Sequence, residues 1–200
     1  MNVNKYIFLG SFNPPHNGHV ACIKSLVDNC KDIEIAYVIP AWQNPNKSAS
    51  IEFAHRYNMT RIAFEGIANV VVSEIENVVK PKNTYELFSY IKENLFHTFK
   101  WVITEETLLE IIDGKWANSD KLLEENNFVL LHVGNIDNIS KVIRENPIIK
   151  DKIEYVELKG SLCVCHSTDI RKSIAQGIGL EKGLLNDSVL EYINQNNLYK

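Results

Sequence analysis

The 200-residue chain predicts an α/β fold, a doubly wound parallel sheet with helices on both faces and a small helical lobe at its C-terminal end. Three observations predict it. Short apolar runs rich in β-branched residues alternate with longer amphipathic stretches, the pattern of a parallel sheet wrapped by helices. The first apolar run stops at a glycine and turns through a proline pair into a periodic segment, as a strand–loop–helix does. The segment from residue 161 onward then reads as helix without a further strand.

Each element follows from its own pattern. Tyr6–Gly10 opens the sheet as an apolar run closed by glycine. In "GHVACIKSLVDNC", Val20, Ile23, Leu26 and Val27 share one helical face. Ile33–Pro40 is the second strand, stopped by its proline. "IEFAHRYNMTRIAFEGI" gathers Phe53, Tyr57, Ile62 and Ala63 as a helix. Strands follow at Asn69–Ser73, Lys100–Thr104, Phe128–Val133 and Ile153–Leu158, with helices at Thr84–Leu95, Glu106–Asp113, Ser140–Glu145, Thr168–Gln176 and Asp187–Asn196. Right-handed crossovers assemble these into a Rossmann-like sheet whose ligands sit beyond the carboxyl ends of the strands. No repeat or low-complexity linker divides the chain. It reads as one domain over 1–200, a core at 1–160 and a C-terminal helical lobe at 161–200.

Composition narrows the partners. A hydrophobic content of 45% suffices for a full core. The net charge of −4 offers no basic field for nucleic acid, so an anionic ligand must be held by a local site. No apolar run approaches the roughly 20 residues that a bilayer span needs. The first ten residues, "MNVNKYIFLG", have too short an apolar core for a signal peptide. Cys22, Cys30, Cys163 and Cys165 form no disulfide framework, and "CVC" lacks the spacing of a zinc site. They read as reduced thiols of a cytoplasmic protein.

The stretch "GSFNPPHNGH" carries the chemistry. Gly10 leaves the backbone open to a close ligand, and Ser11 adds a hydroxyl. Asn13-Pro14-Pro15 forces an extended turn, because proline restricts itself and the residue before it. Asn17 or Gly18 then opens a helix whose free amides and positive dipole end face the strand tip. His16 and His19 stand one turn apart at that opening. Either alone reads as a surface histidine near a helix cap. Together with Gly10 in a strand–turn–helix context, they describe an anion cradle of amides, a hydroxyl and two imidazoles.

"GSFNPPHNGH" resembles the signature of the HIGH-motif nucleotidyltransferases, "GTFDPxHxGH" in many members. Class I aminoacyl-tRNA synthetases share the two histidines, but 200 residues leave no room for their other domains. Further segments resemble one branch, the bacterial nicotinate (nicotinamide) mononucleotide adenylyltransferases. "VIPAWQNPNKS" is similar to the branch's "P-x-x-x-x-P-H-K" loop, with Pro40, Pro45 and Lys47 in register and Asn46 at the histidine. "AHRYNMTRIAFEG" resembles its "E-x-R-x-x-M" helix through Arg56 and Met59. Met59 reads as core and Arg56 as a capping or packing residue. In "KNTYELFSYI", Asn83 or Thr84 stands where the branch carries a polar contact. "WVITEETLLEIIDGKW" resembles "I-I-G-A-D-x-L … W", with Thr104 at the glycine, Glu106 at the aspartate and Trp116 at the tryptophan. "CHSTDIRKSIAQG … VLEYINQNNLY" is similar to "I-S-S-T-x-I-R … V-x-x-Y-I-x-x-x-x-L-Y", with Cys165 and His166 replacing the first two residues. Ser167 and Thr168 suit a helix cap, and Arg171 presents a guanidinium fork to phosphate oxygens.

The resemblance implies transfer of the adenylyl group of ATP to nicotinate mononucleotide, with release of pyrophosphate. It implies His16, His19, Lys47 and Arg171 as catalytic groups. ATP would contact Gly10, Ser11, Phe12, His16, His19, Ser167, Thr168 and Arg171. The mononucleotide would contact Lys47, Thr84, Glu106 and Trp116, whose ring would stack on the nicotinate. Mg2+ would ride on the ATP phosphates without protein ligands. Nicotinamide mononucleotide or phosphopantetheine are alternative acceptors, and a nucleotide-binding module without turnover is the alternative to an enzyme.

Overall fold

In the computed structural model the described residues are 4–31, 33–43, 51–158 and 166–200. Six strands form one sheet: β1 (Asn4–Gly10), β2 (Ile33–Pro40), β3 (Val70–Val72), β4 (Lys100–Thr104), β5 (Asn127–His132) and β6 (Ile153–Glu157). Their order is β3-β2-β1-β4-β5-β6 and every pairing is parallel. The chain winds outward through β2 and β3, then returns to the other side of β1 with β4. The two neighbours β1 and β4 therefore diverge in their connections, and in open sheets of this kind ligands bind beyond the carboxyl ends of such a pair. Gly10 pairs with Pro40 there, and Thr104 with Leu131.

The helices are α1 (Asn17–Asn29), α2 (Phe53–Phe64), α3 (Ile75–Val79), α4 (Thr84–Asn94), α5 (Glu105–Ile112), α6 (Ser119–Glu125), α7 (Asp137–Glu145), α8 (Ser167–Ala175) and α9 (Asp187–Gln195). Side chains alternate across the sheet, so its strands feed two cores, one on each face. Tyr6 and Phe8 face the first core with Ala36, Val38, Val129 and residues of α1, α2, α8 and α9. Ile7 faces the second with Ile39, Trp101, Phe128 and residues of α4, α5, α6 and α7. Ile170, Val189 and Ile193 of the C-terminal helices join the same core as α1 and α2. The predicted lobe is thus packed on one face of the sheet.

All six predicted strands are present, within about two residues at their ends. Two short helices, α3 and α6, carried too few residues to show periodicity. On α2 the buried stripe is Arg56, Met59, Thr60, Ala63 and Phe64, whereas Phe53, Tyr57 and Ile62 are half-buried. The predicted face was rotated because a charged residue sits on the core side. Cys22 is buried and Cys30 half-buried; Cys163 and Cys165 lie outside the described residues. Among the described residues no helix is long and apolar enough to cross a membrane.

Candidate active site

The loop from Ser11 to His16 leaves β1, reverses and enters α1, and side chains from elsewhere hold three of its carbonyls, those of Ser11, Asn13 and Pro14. Arg56 Nη1 donates to Ser11 O (2.9 Å), Arg171 Nη1 to Asn13 O (2.7 Å) and Ser167 Oγ to Pro14 O (2.9 Å). The Tyr199 hydroxyl donates to Asn13 Oδ1 (2.8 Å). Asn17 donates through its backbone to Leu184 O (2.9 Å) and through its side chain to Gly183 O (2.8 Å). The loop is therefore built by two distant parts of the sequence at once, and its ends cannot drift from the start of α8.

Gly10 has a reason that the sequence did not display. A Cβ there would lie 2.8–3.1 Å from three carbons of the Phe12 ring. Phe12 itself adopts a left-handed backbone (φ 46°) and is 1% exposed. Its ring meets Phe8, Phe64 and His19 edge-on, at 5.8, 6.0 and 5.0 Å. The space over Gly10 is filled by Phe12, so what Phe12 can offer a ligand is backbone, not ring.

The two histidines stack at 3.7 Å between ring centroids. His19 Nδ1 accepts the backbone N–H of His16 (3.1 Å), and the His19 amide donates to His16 O (2.9 Å). An imidazole whose Nδ1 is an acceptor carries its proton on Nε2 when neutral. The fold thus makes His19 Nε2–H a donor. His16 is 6% exposed and its Nδ1 lacks a hydrogen-bond partner. Burial, with His166 nearby, lowers its pKa to about 4. His16 is a neutral imidazole at physiological pH, with an orphaned buried polar atom beside the crevice.

The far segment departs from expectation at its cap. His166, not Ser167, is the N-cap of α8, and Ser167 and Thr168 are its first two residues. Their hydroxyls do other work: Ser167 holds Pro14, and Thr168 Oγ1 accepts from Arg171 Nη2 (3.2 Å). The cap moved because Ser167 is needed against the first loop. Gly10, Ser11, Phe12, His16, His19, Ser167, Thr168 and Arg171 are brought together in one place. Lys47, with Asn46, lies outside the described residues.

The remaining predicted residues belong to α4, to α5 and to the segment before α6. Thr84 is the first residue of α4, whose cap is Asn83 Oδ1 accepting the Glu86 amide (3.0 Å). Thr104 caps α5, accepting the Thr107 amide (3.4 Å), and Glu106 is exposed in the first turn. Trp116 is half-buried, edge-on to Trp101 at 5.6 Å, and its indole N–H donates to Glu110 Oε2 (3.0 Å). Among the described residues, no hydrogen bond or ring contact joins Thr84, Glu106 or Trp116 to the cradle.

Arg56, read from the sequence as a capping or packing residue, organises the loops of the site. It is 1% exposed, and besides Ser11 O it reaches Ile51 O (3.2 Å), Ala41 O (2.6 Å) and Trp42 O (3.1 Å). The available signal was a charge on the i, i+3, i+4, i+7 stripe shared with Met59, Thr60 and Ala63. Tyr199 and Asn13 had no local signal, because their partnership spans nearly the whole chain.

Known proteins resemble this chain in sequence and in fold. A "Probable nicotinate-nucleotide adenylyltransferase" of Clostridium botulinum (strain Okra / Type B1) is 29% identical over 99% of this chain and 100% of its own length. One of the same name from Leptospira borgpetersenii is 28% identical over 96% and 95%. Plasmodium falciparum nicotinic acid mononucleotide adenylyltransferase complexed with NaAD shares the fold with a TM-score of 0.84, at 23% identity over 99% of this chain and 98% of that one. The same protein complexed with APC superposes with a TM-score of 0.81. The model of the cytidylyltransferase-like family matches residues 7–173, from the middle of β1 past Arg171. That span takes in the whole cradle and most of the sheet beneath it, and the chain belongs to the cytidylyltransferase-like family.

Proposed function

We propose that this chain transfers the adenylyl group of ATP to nicotinate mononucleotide, giving deamido-NAD and pyrophosphate in NAD biosynthesis. The observation that carries the reading is the pair of hydrogen bonds from Ser167 and Arg171 to the carbonyls of Pro14 and Asn13. They give two anion-binding segments one crevice. The choice of acceptor is supported by the names of the relatives and by the dinucleotide held in the Plasmodium falciparum structure.

An oxygen of the acceptor's 5′-phosphate attacks the α-phosphorus of ATP. The bond from that phosphorus to the bridging oxygen breaks, and its electron pair leaves on pyrophosphate. The nucleophile is already anionic, so no general base is needed. The work is to hold two anions together and to absorb charge on the leaving group. His19 donates through Nε2–H, its other nitrogen being committed to the His16 amide. His16 is a neutral donor next to it. Arg171 keeps N–H groups for phosphate beyond those on Asn13 and Thr168. Ser11 and Thr168 add hydroxyls, Ser167 the backbone amide of the first turn of α8 because its O–H is committed to Pro14 O, Gly10 and Phe12 their backbone, and Lys47 charge toward the leaving group. Lys47, Thr84, Glu106 and the tethered ring of Trp116 receive the mononucleotide.

The cradle's donors are imidazoles, hydroxyls and a guanidinium, a set suited to phosphate oxygens rather than to a hard cation. Mg2+ fits this site as an ion carried by the ATP phosphates and water, where it neutralises phosphate charge. Four cysteines without the spacing of a disulfide framework suit a reducing compartment, and we infer a cytoplasmic enzyme.

Pyrophosphate release with ATP and each of nicotinate mononucleotide, nicotinamide mononucleotide and phosphopantetheine tests the reading. The nicotinate acceptor gives the highest kcat/KM. A preference for phosphopantetheine overturns the assignment, and tight ATP binding without release from any acceptor identifies a binding module instead.

A further inference from the structure

We propose that Tyr199 is a positioning residue for this reaction, acting through Asn13 on the guanidinium of Arg171. Asn13 is 2% exposed and takes two bonds from side chains 158 and 186 positions further along the chain. Its carbonyl accepts Arg171 Nη1 (2.7 Å), and its Oδ1 accepts the Tyr199 hydroxyl (2.8 Å). The phenol thus holds the residue on which the guanidinium rests. Arg171 Nη2 reaches Thr168 Oγ1 (3.2 Å), and its remaining N–H groups are left for phosphate oxygens.

The chain after α9 is shaped to deliver that hydroxyl. Leu198 is buried in the first core, and its amide returns to Ile193 O (3.0 Å). Tyr199 packs on the same core with a left-handed backbone (φ 63°), a conformation that a bulky side chain rarely adopts. Such a residue persists where its surroundings over-determine it. Here Leu198 fixes the backbone on one side and Asn13 the hydroxyl on the other.

The tether carries no charge of its own. Burial raises the pKa of the phenol, outweighing the nearby Arg171 and Arg56, so the hydroxyl keeps its proton and donates. Among the described residues no carboxylate pairs with Arg171. A carboxylate would fix the guanidinium equally well and neutralise it. A carbonyl, itself fixed through a phenol, orients the fork and leaves its charge for the departing phosphates.

The inference rests on the proposed reaction, so it is tested with and without turnover. Tyr199→Phe keeps the ring and removes the donor. kcat/KM for ATP falls by about tenfold, whereas KM for the acceptor stays within about threefold. In the Arg171→Ala background the same change costs at most about twofold, because the group it positions is gone. In the free protein, NMR follows exchange of the guanidinium N–H groups with water. Those of Arg171 exchange about fivefold faster in Tyr199→Phe than in wild type, and those of Arg56, held at other carbonyls, do not. An unchanged kcat/KM, additive losses in the double variant, a defect confined to the acceptor's KM, or an unchanged Arg171 exchange each overturns the proposal. Equal acceleration at Arg56 does so too, since it marks general loosening. Absence of wild-type pyrophosphate release sinks the reaction alone, and the guanidinium exchange then judges the tether. Should Arg171→Ala fail to fold, that exchange and the kinetics of Tyr199→Phe decide.

Discussion

Replacing His19 with asparagine rather than alanine separates two tasks that fall on one ring. Nδ1 accepts the His16 amide at 3.1 Å and so caps α1, while Nε2–H is the donor assigned to the reacting phosphates. The asparagine Oδ1 sits where Nδ1 sat and keeps the cap, but nothing reaches the place of Nε2. Loss of one preorganised donor costs about 10²–10³ in kcat, roughly 3 kcal/mol of transition-state stabilisation. Alanine loses the donor and the cap together, and a lost cap costs about 1 kcal/mol of stability. Both variants lose the stacking on His16 and the edge contact with Phe12. They therefore share the kinetic defect, and alanine melts about 2–4 °C below asparagine in a chain of this size. Pyrophosphate release and thermal melts on the purified variants measure the two effects separately. The reasoning is refuted if the asparagine variant turns over within about threefold of wild type, or if the two variants melt together.

Two further substitutions probe the loop that holds this ring. Gly10→Ala drives a methyl to within 2.8 Å of a Phe12 ring wedged among three other rings, so urea unfolding shows a loss of about 1–3 kcal/mol; a wild-type midpoint contradicts the packing argument. His16 titrates at about 4 when folded, against an ordinary histidine value of 6.5 when unfolded, so below pH 6.5 the unfolded chain takes up the proton first. The stability it contributes is complete above pH 6.5 and is lost as pH falls toward about 4, by about 3 kcal/mol. Denaturant midpoints across that range should fall more steeply for wild type than for His16→Asn, and parallel lines would show that burial does not hold the imidazole neutral.

The sheet was legible because its strands are apolar runs with local stops. Ile33–Pro40 was read to the residue, as proline ends both the pattern and the pairing. Helices of eight residues or more announced themselves by period, whereas α3 and α6 are too short for one. The cradle was legible at its donors, His16, His19 and Arg171, because their chemistry is rare beside a glycine and a helix start. Its supports were not. Gly10 is small for the sake of Phe12, and Ser167 holds Pro14 across 153 positions of sequence. Arg56 read as a capping or packing residue and is buried as such; its partners were not legible because they are backbone carbonyls brought to it by tertiary structure.

The bond from Tyr199 to Asn13 has a consequence for the order of events at the ribosome. Domains fold as they are synthesised from the N-terminal end, and β1, β2 and β3 emerge early enough to pair. The loop beside β1 must then wait for residues 166–199 before its carbonyls find Ser167 and Arg171 and its Asn13 side chain finds Tyr199. Until residues 166–199 are made, that loop lacks the hydrogen bonds that Ser167, Arg171 and Tyr199 give it in the folded chain.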